Sequence, residues 1–175
     1  MKKIVCLLIT FVVLVGFITV GTITASADTY TDASGNIFTY TISNDEATIT
    51  GFSASTSTDI TIPNTLEGCV VIEIGDGAFR NCATLTSITL PDNLKSIGRY
   101  AFQYCSNLKE VIIPNEVEEI NSYSFNLCEN LETIYIPDSV TYIGEKVLSY
   151  CYKLSNIVVG TNNLVYCSNI KDSVK

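Results

Sequence analysis

A block of 23 residues recurs along this chain, and that period constrains the fold more than any other feature. Pro91 to Ile113, Pro114 to Ile136 and Pro137 to Val159 align without a gap, and Pro63 to Leu90 joins them after a five-residue insertion around Glu67-Gly68-Cys69. One column runs Ile74, Ile97, Ile120, Ile143, and another Phe79, Phe102, Phe125, Leu148. Cys82, Cys105, Cys128 and Cys151 recur in phase, as do Leu85, Leu108, Leu131 and Leu154. Ile88, Val111, Ile134, Ile157 and then Leu90, Ile113, Ile136, Val159 complete the set. A unit this short cannot bury its own apolar edge, so the copies must stack and share one continuous core.

Each copy reads as one coil of a solenoid. In Leu108-x-x-Val111-x-Ile113-Pro114 alternate residues turn inward as in a strand, and the proline, which has no N–H to donate, ends it. Gly98 to Cys105 would then place Ala101, Phe102 and Cys105 on one side of a short helical turn. The expected architecture is a β-rich solenoid with one strand and one short helical turn per coil. Its coils are 63–90, 91–113, 114–136 and 137–159.

Residues 28–62 read as an N-terminal β cap. Ile37, Thr39 and Thr41 alternate with Phe38, Tyr40 and Ile42, Asn44-Asp45 supplies a turn, and Ala47 to Thr50 alternates again. The expectation is a hairpin over 36–52, a polar loop from Ser53 to Thr58, and a strand from Asp59 to Ile62 leading into the first coil. Residues 160–175 are too short for another coil and read as a tail or partial cap. There Leu164, Tyr166, Cys167 and Ile170 could cover the last coil.

The first 27 residues have a different character. Lys2-Lys3 precede an apolar run, no charge follows until Asp28, and Ala25 and Ala27 are the small residues expected before a cleavage site. That layout is a cleaved secretory signal. The rival is an uncleaved anchor, since the apolar run nears the ~20 residues that span a bilayer. Small residues at the cut favour removal. After it, eight Lys and Arg stand against eighteen acids, a net charge of −10. Such a chain repels phosphate backbones and anionic lipid surfaces, so neither nucleic acid nor membrane is an expected partner.

The chain has no histidine. A Ser-His-Asp triad, a Cys-His pair and a histidine-ligated zinc site are thereby excluded.

The run Ile-Gly-x-x-Ala-Phe-x-x-Cys-x-x-Leu-x-x-Ile-x-Leu-Pro, intact from Ile74 to Pro91, resembles the BspA-like leucine-rich repeat family. The resemblance covers residues 36 to about 160. It implies a leucine-rich repeat solenoid in a secreted or surface-attached protein, often bacterial, whose coils bind other proteins in adhesion or cell contact. The family's repeat residues are structural, so the resemblance carries over no catalytic residue. No wall-sorting motif or carboxy-terminal membrane segment is recognisable, so a secreted or loosely surface-associated protein is expected.

Four candidate features stand beside plainer explanations. Even-numbered cysteines in a secreted chain invite disulfides, but Cys82, Cys105, Cys128 and Cys151 share an inward column where buried free thiols fit better. Cys69 and Cys167 lie at opposite ends and should not pair. Outward positions of the strands are Ser87 and Thr89, Glu110 and Ile112, Thr133 and Tyr135, Asn156 and Val158. The column Thr89, Ile112, Tyr135, Val158 is largely apolar where solvent is expected, which suggests a contact patch; simple strand propensity would also produce it. Glu116, Glu118, Glu119, Glu129 and Glu132 could hold calcium or act as acid and base, though a solvated face explains them more cheaply. Tyr100, Tyr104, Tyr123, Tyr150 and Tyr152 mark the turn side as a weaker second surface.

The expectation is a non-enzymatic, cofactor-free and metal-free binding module for an extracellular or cell-surface protein. Thr89, Glu110, Ile112, Thr133, Tyr135, Asn156 and Val158 would form its contact face. At ~4.8 Å per coil that face spans roughly 20–30 Å. Alternatives are a self-assembling structural protein or a truncated remnant of a larger adhesin. Self-association would be weak and run through the last coil near Leu154, Val159 and Leu164. A carboxylate-based glycan hydrolase is a remoter alternative.

Overall fold

A computed structural model describes residues 27–163 apart from residue 55. Residues 1–26 of the proposed signal segment and the tail side chains Leu164, Tyr166, Cys167 and Ile170 therefore lie outside the described residues. Three strands open the fold: β1 (Asp28–Thr31), β2 (Ile37–Ser43) and β3 (Glu46–Ser53). They form an antiparallel meander in which Asn44 and Asp45, at φ 53° and 63°, make the tight turn between β2 and β3. Two consecutive left-handed residues are what a two-residue hairpin needs, and Asn and Asp tolerate that region well. β1 was not anticipated. The turn into β2 is held by Asp32, whose carboxylate accepts the Ser34 and Asn36 N–H groups.

The coils follow with short strands: β4 (Asp59–Thr61), β5 (Thr65–Leu66), β6 (Cys69–Ile74), β7 (Ser87–Thr89), β8 (Ser96–Ile97) and β9 (Glu110–Ile112). β10 (Glu119–Ile120), β11 (Thr133–Ile136), β12 (Tyr142–Ile143) and β13 (Asn156–Val159) complete the set. They belong to two sheets. The five-stranded sheet has the order β13-β11-β9-β7-β4, and the eight-stranded sheet runs β1-β2-β3-β6-β8-β10-β12 with β5 beside β6. All pairings between coils are parallel.

The second run of strands departs from the one-strand expectation. Each coil contributes to both sheets, with the column Ile74, Ile97, Ile120, Ile143 entering the eight-stranded one. A strand of two residues carries too short an alternation to stand out in sequence. β3 and β4 continue the two sheets by one further level, so the lead-in is itself coil-like. Phe52 of β3 stacks on Phe79 with ring centroids 4.8 Å apart, taking the phenylalanine position of the next coil.

The expected helical turn is also replaced. No helix occurs among the described residues. Between the sheets, N–H groups alternate in direction. Those of Ala101, Gln103 and Cys105 bond three residues back, while those of Tyr100, Phe102 and Tyr104 reach the Ser122, Ser124 and Asn126 carbonyls of the next coil. The residues that send the chain across are left-handed at two positions per coil, such as Tyr100 at φ 58° and Tyr104 at 63°. A helix directs every N–H along its own axis, so this alternation forbids one. Ala101, Phe102 and Cys105 do face inward as expected, all fully buried.

The core is a set of ladders. Phe79, Phe102 and Phe125 stack at 5.1 Å steps, the last pair almost parallel at 5°. Close stacking at one corner depends on Gly98, where an added Cβ would lie 2.7 Å from the Gly75 carbonyl carbon and the Asp76 nitrogen. The cysteines form a further ladder. Cys105, Cys128 and Cys151 donate their thiols to the carbonyls of Phe79, Phe102 and Phe125 in the preceding coil, each at 3.2 Å. The same three carbonyls also accept the N–H of Cys82, Cys105 and Cys128 within their own coils. Both carbonyl lone pairs are thus used. The thiol is a coil-to-coil donor as well as a small apolar filler. All four column cysteines are free thiols.

Candidate functional site

The outward face of the five-stranded sheet is built by alternation. Ile88, Val111 and Ile134 point into the core and are buried, so their neighbours must point out. Thr89, Glu110, Ile112 and Asn156 are exposed; Thr133 and Tyr135 are half-buried; Val158 is 40% exposed. All seven expected residues therefore share one face. Register places Tyr135 directly between Ile112 and Val158, and Thr133 between Glu110 and Asn156.

Ile112 is 62% exposed, an unusual position for a large aliphatic side chain next to a tyrosine and a valine. The apolar stripe is contiguous over three strands. At its N-terminal side an open depression of about 740 Å³ is lined by Asp59, Thr89, Asp92, Lys109, Glu110 and Ile112, among others. Asp59 and Thr61 extend the face by one coil through their pairing with Ser87 and Thr89. From the sequence they belong to the strand that leads into the first coil. Their signal was present in Asp59-Ile60-Thr61-Ile62-Pro63, which matches Ser87-Ile88-Thr89-Leu90-Pro91 position by position.

The other candidates do not converge. Glu116 forms an ion pair with Lys95 at 2.6 Å, which holds its carboxyl below the usual range and raises the lysine. Glu118 and Glu119 lie at β10 in one sheet, whereas Glu129 and Glu132 precede β11 in the other. Among the described residues, no three cysteine or acidic side chains gather as a cation site. The thiols are suppressed by burial, which pushes Cys82 up to about 11 and Cys151 up to about 12, with Cys105 and Cys128 also raised. A thiol so far from ionisation is no nucleophile at neutral pH. Leu154 and Val159, expected near a self-association contact, are half-buried on the last coil.

The tyrosine side is more ordered than expected. Tyr100 and Tyr123 stack at 5.1 Å, and the Arg80 and Arg99 guanidiniums stand 5.6 and 5.8 Å from the Tyr100 ring centre. Lys146 stands 5.8 Å from the Tyr123 ring. Tyr104, Tyr150 and Tyr152 are exposed, the last by 72%.

The same architecture recurs in known proteins. A leucine-rich repeat protein from Bacteroides capillosus is 30% identical with a TM-score of 0.65, covering 75% of this chain and 97% of that one. A leucine rich cell surface protein from Faecalibacterium prausnitzii is 32% identical with a TM-score of 0.56, over 78% of this chain and 44% of its own. A Treponema pallidum leucine rich repeat protein, 20% identical with a TM-score of 0.57, shares the fold over 73% of this chain and 87% of its own. No curated protein matches. The BspA type leucine rich repeat region matches residues 48–171 in six copies, beginning within β3. With its ladders, its two parallel sheets and that match in hand, the chain belongs to the BspA-type leucine-rich repeat family.

Proposed function

We propose that the chain is an extracellular protein-binding module that holds its partner on the outward face of the five-stranded sheet. The observation that carries this reading is the apolar stripe Ile112, Tyr135, Val158 on a surface otherwise polar, with Ile112 62% exposed. Burying that stripe releases water from apolar area, and Tyr135 adds a large contact surface at small entropic cost. Glu110, Thr133, Asn156 and Thr89 flank it and would fix register through hydrogen bonds. Adhesion to a host or neighbouring cell is the biological form this binding takes in the reading, and it rests on family resemblance. A face of roughly 20–30 Å suits a peptide or one edge of a protein more than a full interface of ~800 Å² per partner. Binding is therefore expected to be weak singly and effective when multivalent.

The test is binding of the purified protein to a panel of extracellular-matrix proteins, with the double variant Ile112→Glu, Tyr135→Lys beside it. Circular dichroism first establishes that the variant folds. A matrix protein bound by the wild type and lost by the variant supports the reading. Equal binding by both removes the face from consideration. If neither binds and the apparent mass falls on dilution, contact between copies displaces it.

A further inference from the structure

The chain contains only two arginines, Arg80 and Arg99, and the fold sets both beside one ring. They come from different coils. Arg99 precedes Tyr100 in sequence, whereas Arg80 reaches it from the coil before, and the Gly77 N–H bond to the Arg99 carbonyl at 2.8 Å ties the two coils together there. Tyr100 continues into Tyr123 by stacking, and Lys146 stands against that second ring. Three cations are thus gathered along a tyrosine stack in a chain whose formal charge is −8. None of the three forms an ion pair among the described residues; the ion pair present joins Lys95 to Glu116 elsewhere. Asp76, at the Arg99 column one coil earlier, accepts the Arg99 backbone N–H at 2.6 Å. Glu145 precedes Lys146, so the positive character is strongest at the arginine end.

Three cations held close together repel one another, and the rings or a partner must offset that repulsion. The rings offset part, since each cation meets a tyrosine face or edge within 6 Å. What remains is an exposed pair of planar guanidinium forks with donors to spare, a geometry matched to carboxylate or sulfate oxygens. Tyr104 and Tyr150 are exposed in one column two coils apart, with Leu127 between them, and the exposed Tyr152 ring lies 6.2 Å from Tyr150. Their rings give flat apolar platforms with a hydroxyl at the rim, the surface on which the C–H face of a sugar ring rests. An acidic peptide would use the forks but has less use for these exposed rings.

We propose that the turn side around Arg80, Arg99 and Tyr100 binds acidic glycan, with the guanidiniums holding its carboxylate or sulfate groups and the exposed tyrosines carrying its sugar rings. This surface is separate from the five-stranded sheet face, so the two stand or fall independently. The acidic remainder of the molecule repels the polymer and so confines it to this side.

The experiment measures binding of the full purified protein to immobilised heparin and polygalacturonate, which separate sulfate from carboxylate, with dextran and poly-glutamate as the neutral and peptide comparators. Binding to at least one acidic glycan, weakening with added salt, is expected. Arg80→Glu with Arg99→Glu should cut that affinity roughly tenfold or more, because each fork makes charge-assisted hydrogen bonds. Arg80→Lys with Arg99→Lys keeps the charge and removes the fork, and a several-fold loss there assigns the recognition to geometry. Ile112→Glu with Tyr135→Lys should leave glycan binding unchanged. No binding to either acidic glycan overturns the proposal. So does full binding by the Arg-to-Glu variant with an unaltered melting temperature. Poly-glutamate or dextran bound as tightly as the acidic glycans would also overturn it, the first pointing to an acidic peptide.

Discussion

The coil from Pro91 to Ile113 and the coil from Pro137 to Val159 carry nearly the same inward residues, yet they are buried differently. In the first, Phe102, Cys105, Leu108 and Val111 are fully buried. In the second, Leu154, Ile157 and Val159 at matching columns are only half-buried, although Leu148 is fully covered. The strands tell the same story: β9 has a neighbour on each side, while β13 is last in its sheet among the described residues. In a solenoid a residue's environment is made by the coils above and below it, so identical residues are worth different amounts at the middle and the end.

The sharpest way to break that comparison is a matched pair of truncations. Phe102 sits between Phe79 and Phe125 at 5.1 Å from each. Phe102→Ala should cost about 3–5 kcal/mol, by removing buried area and leaving a cavity that two stacked rings cannot close. Ile157→Ala, on the half-buried last strand, should cost about 1–2 kcal/mol. Urea unfolding reads both. Equal losses would mean that the last coil is as tightly enclosed as the middle one.

The cysteine column gives a second, smaller contrast. Cys105→Ala removes a buried thiol and the second donor to the Phe79 carbonyl, for an expected loss of about 1–2 kcal/mol. Cys82 heads the column, is half-exposed and makes no such thiol bond. Cys82→Ala should therefore change stability by less than about 0.5 kcal/mol. Similar losses at the two sites would show that the thiol bond contributes little and that filling volume is the whole role.

The same column predicts a pH dependence with a definite sign. Burial raises the folded-state thiols above the ordinary value of 9.0, with Cys82 at about 11 and Cys151 at about 12. Between those limits the unfolded chain releases protons that the folded chain keeps, so stability is full below pH 9 and falls as pH rises toward 12. Tyr40, pushed up to about 12 by burial and the nearby Glu67 carboxylate, adds to the upper end of that window. The urea midpoint should drift downward from about pH 9, and a variant with all four column cysteines changed to alanine should drift less. An identical drift in the two proteins would assign the alkaline loss to tyrosine and lysine instead.

How much of this was legible in the sequence follows from what repeats. The inward ladders show themselves because the same residue recurs every 23 positions, and the outward face follows from them by alternation: once Val111 points in, Glu110 and Ile112 must point out. The two-residue strands of the eight-stranded sheet left almost no trace, since Ile97 and Ile120 alone cannot specify a strand. The turn side was misread because Ala101, Phe102 and Cys105 have helical spacing. What forbids the helix is the left-handed backbone at Tyr100 and Tyr104, and tyrosine is not a residue whose presence announces that conformation. Gly77 and Asn81, at the same columns one coil earlier, are the residues that do, and they were the available clue. The Arg80–Tyr100 contact joins two coils and breaks the repeat, so no periodic argument could reach it.

A further small effect has the opposite sign to the others. Ser124 occupies the column of Ala78, Ala101 and Val147, is fully buried, and its hydroxyl has no hydrogen-bond partner. A buried hydroxyl without a partner loses its hydrogen bonds to water and regains nothing. Alanine already fits this column one coil earlier at Ala101, which is equally buried. Ser124→Ala should therefore leave the fold intact and raise stability by about 0–1 kcal/mol, whereas most substitutions at fully buried sites lower it. The change lies beside Phe125, so it should leave the ring stack and both outward surfaces as they are. A loss of more than about 1 kcal/mol would show that the hydroxyl is satisfied in solution by a buried water bridging the two coils, and the middle of the solenoid would then be less dry than its ladders imply.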